Sequence, residues 1–139
     1  MTAARRQSQT RPASAGDARA YLDKAREFLR AAEDSFALGN RVAAAGNAVH
    51  AGIGAADAIT AARSAVVWKG EHSQAPAHLE RVGGEDGRRA AAQLRRLLPL
   101  KNRAEYDPDP ISASEAKAAV TAAVRMVRIA DLAVGQVDR

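Results

Sequence analysis

At 139 residues the chain has room for one ordinary domain with a single core, and 21 Lys and Arg against 16 Asp and Glu leave a net charge of +5. The absence of cysteine excludes disulfides and thiolate metal sites, and no apolar run reaches the roughly 18 residues a membrane-spanning helix needs. A basic balance of this kind favours phosphate-bearing partners.

The leading arm, "MTAARRQSQTRPASA", is polar and carries Arg5, Arg6 and Arg11. It lacks an apolar core of the kind a secretory signal requires, so residues 1–15 read as a disordered basic arm on a cytoplasmic protein. Residues 16–139 read as the domain. Its apolar content is supplied mainly by Ala, Val and Leu, with only 4% aromatic residues, and Ala has the highest helix propensity. Strand patterning is scarce. The expected fold is therefore all-α: an up-and-down bundle of four main helices plus a short connector helix.

Asp17 is a candidate N-cap for a first helix reaching Leu38, in which Leu22, Ala25, Leu29, Ala32 and Phe36 recur at three- and four-residue spacing with Phe28 beside them. Gly39 stops it. Asn40 then opens a second helix to about Val66, with Val42, Val49, Ile53, Ala56 and Ile59 as its apolar members. Two long helices joined by two residues must fold back on each other. Asn47, His50, Gly54, Asp57 and Ser64 share one face of the second helix, so an amide, an imidazole and a carboxylate could line one wall. Satisfied structural polar groups are the alternative. Gly46, Gly52 and Gly54 on the same helix each cost about 1 kcal/mol against Ala, which points to close approach by another helix or subunit.

Trp68 to Gly87 is glycine-bearing and holds at most a short helix over about 75–81. A further helix follows from about Asp86 to Glu105, with Leu94, Leu97 and Leu98 inward and a kink at Pro99. "DPDP" ends it. Ser112 and Glu115 form the S-x-x-E capping box of the last helix, with Ile111 before it as a staple and Val120, Ala123, Val124, Val127 and Val134 as its buried stripe.

The end of the fourth helix, "KNRAEY", gathers Lys101, Asn102, Arg103 and Tyr106 close to Arg95 and Arg96. Cations near a helix C-terminus complement its dipole. The alternative is that Lys101, Asn102 and Tyr106 point into a groove beside the second helix and meet a phosphate or a partner. No phosphate loop, zinc motif or nucleotide fingerprint is present, and no cofactor or metal is expected.

The hairpin carrying "AAAGNAVHAGIGAADAI", the irregular connector and the late helix ending "KNRAEYDPDPISASEA" together resemble the HEPN domain, from about residue 17 onward. That resemblance implies a small helical bundle, often a homodimer, of the kind found in toxin–antitoxin pairs and phage defence. The family's ribonucleases carry an R-x4-6-H motif with a polar residue after the Arg. Lys101 stands at the position of that Arg, Asn102 at the polar residue and Tyr106 at the His; an alternative alignment makes Arg103 the Arg, with no His after it. His suits base catalysis because it titrates near working pH, whereas Tyr ordinarily titrates near 10 and Lys lacks the guanidinium fork. His50 could substitute in space.

The sequence thus reads as a non-catalytic or weakly active module that binds RNA or a protein partner, such as a cognate antitoxin, through Arg95, Arg96, Lys101, Asn102, Arg103, Tyr106, Asn47, His50 and Asp57. A ribonuclease toxin using Lys101, Asn102, Tyr106 and His50 is one alternative. A purely structural dimeric bundle is the other.

Overall fold

A computed structural model of the chain describes residues 9–137. Helix α1 spans Ala15–Ala37 and α2 spans Arg41–Ser64, with Gly39 between them at φ 81°. The N-cap of α1 is Ser14, not Asp17: Asp17 N–H donates to Ser14 Oγ at 3.0 Å and Ser14 N–H donates to the Asp17 carboxylate at 2.9 Å. Asp17 is the third-position partner in a capping box and satisfies the helix start from inside. Asn40 occupies the cap position of α2 but its side chain makes no cap bond.

The core is built around α2, which packs against α1 and also meets all four later helices. Its buried residues, among them Ala44, Ala48, Val49, Ala58 and Ile59, cover more than half of its circumference, and the side bearing Asn47, His50 and Asp57 is only partly covered, as suits a central helix. Small side chains permit the approach. A methyl at Gly54 would touch Ala25 of α1 at 3.3 Å, and one at Gly52 would meet Leu97 Cδ1 at 2.5 Å and Met126 Sδ at 3.2 Å. The close contacts expected at those glycines are met within the chain. Gly46 is different, since the nearest atom to its virtual methyl is Ala104 Cβ at an ordinary 3.7 Å. Val42, expected inward, is exposed, as is Phe28, while Leu29, Phe36 and Ile53 are half-buried.

Beyond α2 the chain departs from an all-helical plan. Val66–Trp68 forms strand β2, antiparallel to β1 at Thr10–Pro12, with Arg11 opposite Val67. The described part of the leading arm is therefore ordered, and Ala13, buried, donates its N–H to Ala65 O at 2.9 Å. Arg5 and Arg6 lie outside the described residues. A 3-10 turn at His72–Gln74 leads into α3, Ala75–Val82. Helix α4 runs Gly84–Leu97 and α5 runs Pro99–Glu105, so the expected kink at Pro99 divides one helix into two. Proline, lacking an N–H, sits at the first position of the second segment, where no donor is needed.

The last helix, α6, spans Ala113–Val137. The Ser112–Glu115 capping box forms in both directions, at 3.1 Å each way, and Ile111 ahead of it is buried. Met126, Ile129, Ala130 and Ala133 join Ala123, Val127 and Val134 in the buried face, whereas Val120 and Val124 are only partly covered. Among the described residues no helix is long and apolar enough to cross a membrane.

Candidate functional site

The basic helix end does not act as one patch. Arg95 forms an ion pair with Glu80, and Arg103 is held by Glu115 and by the carbonyl of Pro110 at 2.8 Å. These bonds carry α5 onto the start of α6. Glu115 is drawn down to about 2, chiefly by its hydrogen bond from Arg103 and then by the Ser112 backbone N–H. Arg96 is exposed, and Tyr106 is 76% exposed with no side-chain hydrogen bond among the described residues. The ring neither covers the bundle end nor enters a groove: its backbone bonds Asn102 O and leaves α5 with φ −130°, turning the side chain to solvent.

The polar face of α2 is likewise divided. Asn47 donates to Ala43 O at 2.9 Å and borders a recess beside Phe28 and Lys24 of α1. His50 stacks near Phe28, ring centroids 5.2 Å apart, and its Nε2 lies 3.1 Å from Glu105 of α5. Gly54 faces Ala25, and Ser64 bonds the Val82 carbonyl. Asn47, His50 and Tyr106 do not converge.

Two adjoining concavities gather sequence candidates, Lys101 and Asn102 in one and Asp57 in the other; a third, lined by Arg89, Arg125 and Arg128, lies between α4 and α6 and holds none. The first is a groove of about 410 Å³ between the connector and the α4–α5 junction, lined by Gly70, Glu71, His72, Ser73, Leu98, Lys101 and Asn102. Lys101 carries no ion pair among the described residues. Burial, and then the charges of Lys101 and His50, hold the His72 imidazole below the ordinary His range, while Glu105 pulls it up. His72, which precedes Lys101 in the sequence, lines the same groove.

The second is a cavity of about 280 Å³ under Trp68, sharing Gly70 and His72 with the groove. Asp57 and Thr60 of α2 and His78 and Leu79 of α3 line it. Trp68 is fixed by its indole N–H, which donates to Glu71 O at 2.8 Å, and by its ring, 5.0 Å from that of His78. Gly70 is required here because a methyl would collide with the indole. His78 is buried, its Nε2 has no hydrogen-bond partner among the described residues, and burial followed by the Arg81 charge holds it below the ordinary His range. No donor among the described residues hydrogen-bonds the Asp57 carboxylate. Burial pushes Asp57 up to about 6, against the opposing pull of Lys69 and Arg11. The two cations gather round Tyr21, whose hydroxyl accepts from Arg11 at 3.1 Å and whose ring lies 6.0 Å from Lys69 Nζ.

No family model matches the chain, and no curated protein is significantly similar to it.

The cleft therefore has to be interpreted from its own chemistry. It joins an unpaired ammonium and an amide at one end to a desolvated carboxylate, two imidazoles and an indole at the other. Among the described residues no group of three His, Cys, Asp or Glu side chains could hold a metal ion. Of the sequence candidates, Lys101, Asn102 and Asp57 reach this cleft and His50 acts on its edge. His72, His78 and Trp68 were missed because they lie in a glycine-bearing connector without periodicity. The one available signal was the grouping of the sole tryptophan with two histidines within eleven residues.

Proposed function

We propose that this chain is a HEPN-like helical domain that binds RNA through the groove at Lys101. The observation that supports it most is the juxtaposition of Lys101 and Asn102 on α5 with His72 from the connector, the lysine forming no ion pair among the described residues. A point charge beside amide and imidazole donors is a phosphate-binding arrangement. Arg11 and Lys69 on the neighbouring ribbon extend the positive field, and Glu71 on the rim subtracts from it. A cytoplasmic location, a homodimer and a place in a toxin–antitoxin or defence system belong to the same proposal and rest on the family resemblance.

Lys101→Glu tests it. Binding of an unstructured oligouridylate at low salt should fall about tenfold or more, as expected for reversing a phosphate contact, with the melting temperature unchanged. Unaltered affinity would refute the reading. Arg103 is unsuitable for this purpose because its loss would break the tie between α5 and α6.

A ribonuclease is the second reading, favoured by His72, an imidazole in the same groove as Lys101 that burial and the lysine charge hold below the ordinary His range. It predicts RNA cleavage abolished by His72→Ala and indifferent to Tyr106→Phe. A purely structural bundle would leave both Lys101 and Arg103 in intramolecular ion pairs, and only Arg103 is so engaged.

A further inference from the structure

The cavity under Trp68 is costly to maintain, and nothing in the bundle's packing explains it. Replacing Asp57, half-buried and without a hydrogen-bond donor to its carboxylate among the described residues, or giving the buried His78 Nε2 a partner would each stabilise the fold. A carboxylate without a donor and an unpartnered imidazole nitrogen lining one cavity are groups that a ligand can satisfy.

The surroundings restrict that ligand. Lys69 and Arg11 act on Asp57, Arg81 on His78 and Lys101 on His72, so the cleft as a whole would repel a cationic amine. It would accept a molecule with neutral N–H donors for the carboxylate and a negative charge elsewhere. At about 280 Å³ the space is at the small end of small-molecule sites, which run roughly 300–1,000 Å³. The Trp68 and His78 rings pack on each other, 5.0 Å between centroids and 34° apart, and Trp68 gives the cavity the aromatic surface on which a planar ring can lie. Because Gly70 and His72 border both cavity and groove, a ring in one can be joined to an anion in the other.

We propose that the cavity is a base subsite taking a guanine of single-stranded RNA, with the base's adjacent N1–H and N2–H donors on the Asp57 carboxylate, its ring against Trp68, and its phosphate at Lys101. The inference rests on the RNA reading of the groove and adds base selectivity to it. Among the four bases guanine alone offers two adjacent N–H donors to a carboxylate's two oxygens. Cytosine and adenine offer a single amino group beside an acceptor that the carboxylate repels, and uracil one imide N–H between two carbonyls. Aromatic stacking supplies affinity without regard to base, so discrimination falls to Asp57.

Trp68 is the sole tryptophan, so its fluorescence reports on the cavity in the unaltered protein. At pH 7.5 and low salt it should be titrated with four ligands: an oligouridylate, the same oligomer with one central guanosine, the same with inosine in that place, and guanosine 5′-monophosphate. The guanosine oligomer should bind about tenfold or more tightly than the oligouridylate and quench Trp68, as a bidentate base contact implies. Inosine, which lacks the N2 amino group, should lose most of that gain. Asp57→Asn should lose it as well.

Equal affinities for oligouridylate, inosine and guanosine oligomers, with Trp68 silent, would overturn the base subsite and leave the groove reading intact. Failure of every oligomer to bind would overturn the groove reading. In that event, saturable quenching by guanosine monophosphate that Asp57→Asn removes would uphold the cavity as a guanine nucleotide site, and silence would overturn both.

Discussion

Asp57 is held at a cost to stability. Raising a carboxyl from 3.8 to about 6 corresponds to roughly 3 kcal/mol of penalty on the ionised form. Because the folded value lies above the unfolded one, the native state holds the proton more tightly between about pH 4 and 6, and stability falls as pH rises through that window. Asp57→Asn should therefore raise stability at pH 8 by roughly 1–2 kcal/mol after the amide's own burial cost, with little gain at pH 4. Urea unfolding at the two pH values would show it, and equal gains at both would contradict the burial argument. Glu115 behaves oppositely. Its folded value of about 2 lies below the ordinary 4.5, so its stabilisation is complete above about pH 4.5 and disappears as pH falls toward 2. Glu115→Gln should lower the melting temperature at pH 7 and differ progressively less from the wild type in acid.

Among the elements, the glycines provide the sharpest contrast. Gly46→Ala adds a methyl at ordinary contact distance and removes a flexible helix position, so it should stabilise the protein by about 1 kcal/mol. Gly87→Ala would drive a methyl into the carbonyl of Leu79, where α3 and α4 meet, and should cost several kcal/mol. Thermal melts of the two variants should move in opposite directions. The four main helical runs were legible because their apolar residues recur at helical spacing and because Gly39, Pro99 and the Ser112–Glu115 box mark their ends. The β1–β2 ribbon was not legible, since three-residue strands show no period, and Thr10–Pro12 lies in a stretch whose composition matches a solvated arm. That miss concealed how Arg11 comes to act on Asp57. The Tyr106 expectation failed for another reason: a motif position fixes a residue's place on a helix, whereas its direction is set by how that helix ends.

At the scale of the whole molecule, a central Ala- and Gly-rich helix lets five others pack closely, and the chain left over from that packing builds the cleft. The connector pairs with the described part of the arm and carries His72 and Trp68 to a place where Lys101 and Asp57 already stand. A net charge of +5 gives long-range attraction to nucleic acid, and a cation without an ion-pair partner, such as Lys101, is the readier phosphate contact. The central claim, that this groove holds RNA phosphate, is most directly tested by the salt dependence of oligouridylate binding. With Lys101 and one or two neighbouring cations engaged, log K should fall linearly with log salt at a slope of about −1.5 to −2, and Lys101→Glu should flatten it by roughly 0.7 or more. Affinity that stays constant from about 50 to 200 mM salt, or a slope the same in Lys101→Glu as in the wild type, would contradict the account.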